Sequence, residues 1–221
     1  MTPKLVIFDV DGTLIDSQAE IMAAMTAAFA DEGLELPARA AVLGIVGLSL
    51  DRAMAVLVPD AGEKRQTALV AGYKAAFNAA RTAHGAAVSP LYPGARAVLD
   101  LLLAAPDTLM GVATGKSQRG LDAMIEAHDL RRYFVTRQVA DHHPSKPHPS
   151  MIRAAMAETG VAADSTVMVG DTVFDMDMAQ AAGVRGIGVT WGYHAAADLR
   201  ARTDTVIDDF AALPGVLGVP S

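Results

Sequence analysis

The chain has 221 residues, 52% of them hydrophobic, enough for one large or two small domains around a buried core. It contains no cysteine, which excludes disulfides, thiolate metal sites and cysteine nucleophiles, so its chemistry must come from oxygen and nitrogen groups. A formal charge of -7 without a basic stripe argues against a nucleic acid partner. No apolar run approaches the ~20 residues of a membrane span and no signal-peptide pattern precedes the first strand, so the cytoplasm is the expected location and no membrane partner is expected.

In chain order, short apolar runs at 5–8, 109–113, 134–139, 166–169, 186–190 and 205–207 read as strands. Helical spacing at 93–105, 149–159 and 174–182 supplies crossovers between them, the alternation that builds a parallel sheet. The stretch from about residue 15 to residue 89 has no convincing strand. It carries alanine-rich amphipathic patterns around Ala23 to Phe29 and around Tyr73 and Phe77, broken by turns at Leu36-Pro37 and Pro59-Asp60. The expected organisation is a doubly wound α/β core, residues 1–14 and 90–221, with an all-helical domain, residues 15–89, inserted after the first strand. The insertion enters after Gly12-Thr13 and leaves through Gly85 to Gly94, so two connections hold it over the carboxyl edge of the sheet.

Four segments carry the chemistry. Asp9-Val10-Asp11-Gly12-Thr13 follows the first strand and delivers two carboxylates to the crevice where open α/β sheets bind ligands. Gly111 to Ser117 ends a strand with the Thr114 hydroxyl, and Gly115 then lets a phosphate approach backbone N–H groups at a helix start. Ser145-Lys146-Pro147-His148-Pro149 holds a lysine between residues that stiffen the backbone. Val167 to Asp175 again releases a carboxylate from a strand, Asp171, with Asp175 four residues on and on the same side; Asp177 points elsewhere and reads as a solvated charge. Asp9, Asp11 and Asp171 side by side would repel one another unless a cation sat among them. Oxygen-only donors favour a hard ion, and Mg²⁺ suits few carboxylates plus water plus substrate phosphate. With Thr114 and Lys146 nearby, the set becomes an anion trap with a nucleophilic carboxylate at its floor.

These four segments, in this order and spanning essentially the whole chain, resemble the haloacid dehalogenase superfamily, specifically its phosphatases with a helical cap, with phosphoglycolate-phosphatase-like enzymes the nearest subgroup. The resemblance implies a HAD-type Rossmannoid core and a Mg²⁺-dependent phosphomonoesterase acting on a small phosphorylated metabolite, phosphoglycolate-like or a sugar phosphate. It makes Asp9 the nucleophile that becomes an aspartyl phosphate, and Asp11 the acid that protonates the leaving alcohol and then the base that activates water. Thr114, Gly115 and Lys146 hold the phosphoryl group; Asp9, Asp11 (through its backbone carbonyl in similar proteins) and Asp171 hold the metal, with Asp175 in support. A phosphomutase of the same superfamily would keep the aspartyl phosphate and return it to substrate, which Asp11 equally permits. Hydrolytic dehalogenation is disfavoured, since dehalogenating relatives lack the acid. A receiver-type phospho-aspartate signalling module would use a similar site but is usually about half this length and lacks the insertion.

Gly115 stands where many relatives have asparagine. Asp141-His142-His143 with His148 could form a metal cluster, but prolines separate the histidines and no fourth ligand is evident. Trp191 either borders the site or packs in the core. In the insertion, Arg52 beside Gly47 to Leu50, and Lys74, are the candidate substrate contacts. The sequence leaves the oligomeric state open.

Overall fold

The computed structural model describes residues 3–84 and 89–219 of the chain; the expected exit of the insertion at Gly85 lies outside the described residues. Six parallel strands form one sheet: β1 (Lys4–Phe8), β2 (Thr108–Thr114), β3 (Thr136–Val139), β4 (Thr166–Gly170), β5 (Arg185–Val189) and β6 (Val206–Ile207). Their order across the sheet is β3-β2-β1-β4-β5-β6. Strand order therefore reverses at β1, and the crevice at the carboxyl end of that reversal is where such sheets bind ligands.

Every residue of β1 after Lys4 is buried because both faces of the sheet are covered. With side chains alternating along the strand, Val6 and Phe8 face one core and Leu5 and Ile7 the other. The first core is closed by α5 (Ala95–Ala104), α6 (Gln118–Ala127) and α10 (Leu213–Leu217). The second is closed by α7 (Ser150–Thr159) and α8 (Val173–Ala182). The short helix α9 (Ala196–Arg200) follows β5, and it and α10 were not foreseen in the alanine-rich sequence.

Residues 18–84 form α1 (Gln18–Asp31), α2 (Arg39–Leu43), α3 (Leu50–Leu57) and α4 (Glu63–His84). They pack round a third, separate hydrophobic cluster that includes Ile21, Met25, Phe29, Met54 and Leu69. Small residues let α1 and α4 approach closely: a Cβ on Gly72 would touch Ala28 at 3.4 Å. The expected turns are present, one between α1 and α2 and the other a 3-10 turn, Pro59–Ala61, before α4. The two chain segments that join these helices to the sheet run side by side. Tyr92 N–H donates to the Leu14 carbonyl at 2.9 Å, and Asp16 N–H donates to that of Pro90 at 2.9 Å.

Candidate active site

Three strand ends meet at the reversal. Asp9 follows β1, Thr114 ends β2 and Asp171 follows β4; all three side chains are buried. Asp9 N–H donates to the Val169 carbonyl at 2.9 Å, which continues the β1–β4 ladder and ties Asp9 to the strand that releases Asp171. A Cβ on Gly12 would come within 2.3 Å of Asp171 Oδ2, and one on Gly192 within 2.1 Å of Asp171 Cβ, so only glycine at both positions leaves room for this carboxylate.

Lys146 reaches into this cluster from the loop before α7, its ammonium 2.8 Å from Asp9 Oδ1 and 2.7 Å from Asp175 Oδ1, with all three side chains buried. Asp175 is fixed from behind by a capping box, in which the Thr172 N–H and hydroxyl both donate to Asp175 Oδ2, at 3.1 and 2.7 Å. Asp171 accepts from the Thr13 hydroxyl at 2.8 Å and from Tyr193 N–H at 2.9 Å. Asp9 Oδ2, by contrast, accepts no hydrogen bond among the described residues.

Burial raises the Asp9 carboxyl pKa to about 7; Lys146 pulls it down and Asp175 pushes it further up. Asp171 is pushed well above the ordinary carboxylate range, first by burial and then by Asp175 and Asp9. Burial acts to lower Lys146, but Asp175 and Asp9 together outweigh it and keep the ammonium charged. Oxygens of Asp9, Asp171 and Asp175 lie within 4.8 Å of one another, three carboxylates against one ammonium. An all-oxygen donor set with surplus negative charge and an unpartnered carboxylate oxygen fits a hard divalent cation.

Asp11 lies apart from this cluster. Its Oδ1 pairs with Lys116 Nζ at 2.9 Å and accepts from the Ser17 hydroxyl at 2.5 Å, and Ser17 in turn meets the Tyr193 hydroxyl at 2.8 Å. The side-chain carboxylates that gather are therefore Asp9, Asp171 and Asp175, not Asp9, Asp11 and Asp171, because the turn after Val10 sends Asp11 toward Lys116. Asp9, Asp11, Thr114 and Gly115 line one cavity of about 660 Å³ between the sheet edge and the helices α1 to α4. Arg52 is exposed on α3 and is not among the lining residues, whereas Lys74 of α4 is. Asp177, expected to be solvated, pairs with Arg202 at 3.0 Å on a half-exposed surface. His143 bonds Ser150 and Gln138 through its two ring nitrogens, and the histidines of 142–148 form no metal-type cluster among the described residues. Trp191 packs beside Phe210, its ring N–H donating to the Thr13 carbonyl at 3.0 Å.

The family profile described as haloacid dehalogenase-like hydrolase matches residues 6–189. The chain belongs to the haloacid dehalogenase-like hydrolases. It is 38% identical over 215 residues to "Probable phosphatase IndB" of Dickeya dadantii, covering 96% of this chain and 92% of that one. It is 35% identical to a phosphoglycolate phosphatase of Rhodospirillum rubrum, covering 99% and 92%. Among solved structures, a haloacid dehalogenase-like family hydrolase from Streptococcus pneumoniae superposes with a TM-score of 0.83 at 23% identity, covering 97% of this chain and 98% of that one, a likeness of fold. These relatives make the chain a phosphatase of the family.

Within this haloacid dehalogenase-like hydrolase, several site residues escaped the sequence reading. Lys116 sits in the quoted run Gly111 to Ser117, yet only the fold shows that it reaches Asp11 and also lies 5.1 Å from the centre of the Phe77 ring on α4. Ser17 and Tyr193 are 176 positions apart and had no signal linking them. Gly115 has its own steric reason: a Cβ there would come within 2.6 Å of the Gly47 and Leu48 carbonyl oxygens, in the loop between α2 and α3.

Proposed function

We propose that the chain is a Mg²⁺-dependent phosphomonoesterase that hydrolyses a small phosphorylated metabolite through an aspartyl phosphate on Asp9. The observation that carries this reading is the Asp9 carboxylate: it is buried at the floor of the cavity, braced by Lys146 on Oδ1 at 2.8 Å, and left with Oδ2 unpartnered among the described residues. A carboxylate so held has one oxygen ready to attack phosphorus and no rotation to lose on doing so. Relatives named phosphoglycolate phosphatase support a small phosphate ester as the substrate class.

In this reading Lys146 holds a phosphoryl oxygen and offsets charge on Asp9, while the Thr114 hydroxyl and the Gly115 N–H hold others. Asp11, which lines the cavity and is engaged by Lys116 and Ser17, donates its proton to the departing alcohol oxygen and later takes one from the water that attacks the aspartyl phosphate. Mg²⁺ would be held by Asp9 and Asp171, with Asp175 in support and the Asp11 backbone carbonyl as the resemblance implies, and would supply positive charge against the transferring phosphoryl oxygens. Helices α1 to α4, residues 15–89 with their connections, act as a cap that closes over the crevice and excludes water. Neither a membrane nor a nucleic acid enters this reading. Among the described residues no helix is long and apolar enough to cross a membrane.

The test is orthophosphate release from a panel of phosphate monoesters with Mg²⁺, run beside Asp9→Asn. Multiple turnovers by the wild type and essentially none by the variant are expected. Comparable turnover by the variant removes Asp9 as nucleophile, and stable stoichiometric labelling without turnover removes the phosphatase.

A further inference from the structure

We propose that the ester this enzyme prefers carries an apolar, ring-sized leaving group with no second anionic charge; this rests on the phosphomonoesterase reading and narrows it. Three observations on the cavity converge. Its volume of about 660 Å³ falls in the middle of the ~300–1,000 Å³ typical of small-molecule pockets, so a two-carbon acid would fill only a small part of it. Its wall on the helical side includes Ile21 and Met25 of α1, Val46 of the α2–α3 loop, and Tyr73 and Phe77 of α4, beside the polar Asp51, Lys74 and Asn78. Tyr73 and Phe77, four residues apart on one helix face, stack with their centroids 5.6 Å apart and their planes 29° from parallel, which places two adjacent aromatic rings in that wall.

Charge argues the same way. Among the described lining residues beyond Asp9 and Asp11, which act on the reacting group, the cations Lys74 and Arg119 are matched by the carboxylates Asp51 and Asp141. Lys116 is already committed, 2.9 Å from Asp11 with its charge over the Phe77 ring. A carboxylate or second phosphate on the leaving group would thus enter a region with no net positive charge to offset its desolvation. An uncharged apolar body instead buries against Phe77, Tyr73 and Met25 and gains from each contact.

The experiment compares kcat/KM, with Mg²⁺ and orthophosphate detection, for 2-phenylethyl phosphate, ethyl phosphate and 2-phosphoglycolate. All three leave as aliphatic alkoxides, so differences in leaving-group basicity are kept small. The 2-phenylethyl ester is expected to exceed each of the others at least about tenfold. Phe77→Ala is expected to lower the ratio of the 2-phenylethyl to the ethyl ester at least about fivefold, with Phe77→Leu in between and circular dichroism confirming that both variants fold. A preference for 2-phosphoglycolate, or a phenylethyl-to-ethyl ratio near one, overturns the proposal while leaving the phosphatase intact. No orthophosphate from these esters or from p-nitrophenyl phosphate would instead remove the phosphomonoesterase reading, and the proposal with it.

Discussion

Lys146 Nζ lies 2.8 Å from Asp9 Oδ1 in a place where neither side chain meets solvent. The same ammonium lies 2.7 Å from Asp175, so a single positive charge serves two buried carboxylates. Truncating one member of such a set leaves the others buried and uncompensated. Lys146→Met is therefore expected to cost about 3–5 kcal/mol of folding stability without Mg²⁺, measured by urea unfolding. Adding Asp9→Asn to Lys146→Met removes one of the orphaned charges and should recover part of that loss. If the two substitutions simply add, the residues are not energetically coupled.

Gly115 sets how closely the helical segment can approach the sheet. With 2.6 Å between a hypothetical Cβ and two backbone carbonyls of the 47–48 loop, any side chain there forces the loop away, since no flexible side-chain end is available to yield. Gly115→Asn is expected to lower the melting temperature, since backbone must move, and to lose at least about tenfold in kcat/KM, because displacing the 47–48 loop spoils positioning over the crevice. Full activity in this variant would mean that the loop need not lie so near during turnover.

Burial of the Asp9 carboxyl predicts how metal and pH act together. Its pKa is about 7 in the folded chain against 3.8 for the unfolded residue, so between those values the native state keeps a proton that the unfolded state has released. Metal-free stability from this group is thus highest at low pH and declines as pH rises from about 4 to 7. Three half-buried or partly buried histidines, 128, 143 and 194, have pKa values lowered by burial and act oppositely, costing stability as pH falls below 6.5. Differential scanning fluorimetry of wild type minus Asp9→Asn cancels the histidines. Without Mg²⁺ the variant's advantage should grow from pH 5 to pH 8, and MgCl₂ should raise the wild-type melting temperature more at pH 8 than at pH 5, since the ion binds the carboxylate form. A pH-independent difference would show that Asp9 titrates normally.

The parts of the fold and site that were legible in the sequence are those where burial forces residue type. Leu5 to Phe8 had to be continuously apolar because both faces of β1 are covered, so the strand and the carboxylate after it were visible together. The 22-residue α4 was seen only as a shorter pattern, since alanine forms helices without marking a face. Partner choice by long side chains was not legible at all. Lysine's flexible stem let Lys116 find Asp11 and Phe77, and it is Lys74, not Arg52, that reaches the cavity. Gly115 was noticed as a missing asparagine, but the absence of a side chain says nothing about which backbone will occupy the space.

Asp11 and Asp9 predict opposite sensitivities to the leaving group. In the proposed mechanism Asp9 acts on phosphorus and is needed for every ester, whereas Asp11, which lines the cavity and is held by Lys116 and Ser17, acts on the departing oxygen. An alkoxide needs a proton as the bond to phosphorus breaks, but p-nitrophenolate leaves readily without one. Asp11→Asn should therefore lose about 10²–10⁴-fold in the rate of aspartyl-phosphate formation from an alkyl phosphate, the range for removal of a general acid, and far less from p-nitrophenyl phosphate. Single-turnover quench measurements isolate that first step from the later hydrolysis, in which Asp11 serves as base for both esters. Equal losses on the two substrates would place Asp11 in a structural role and assign leaving-group protonation elsewhere.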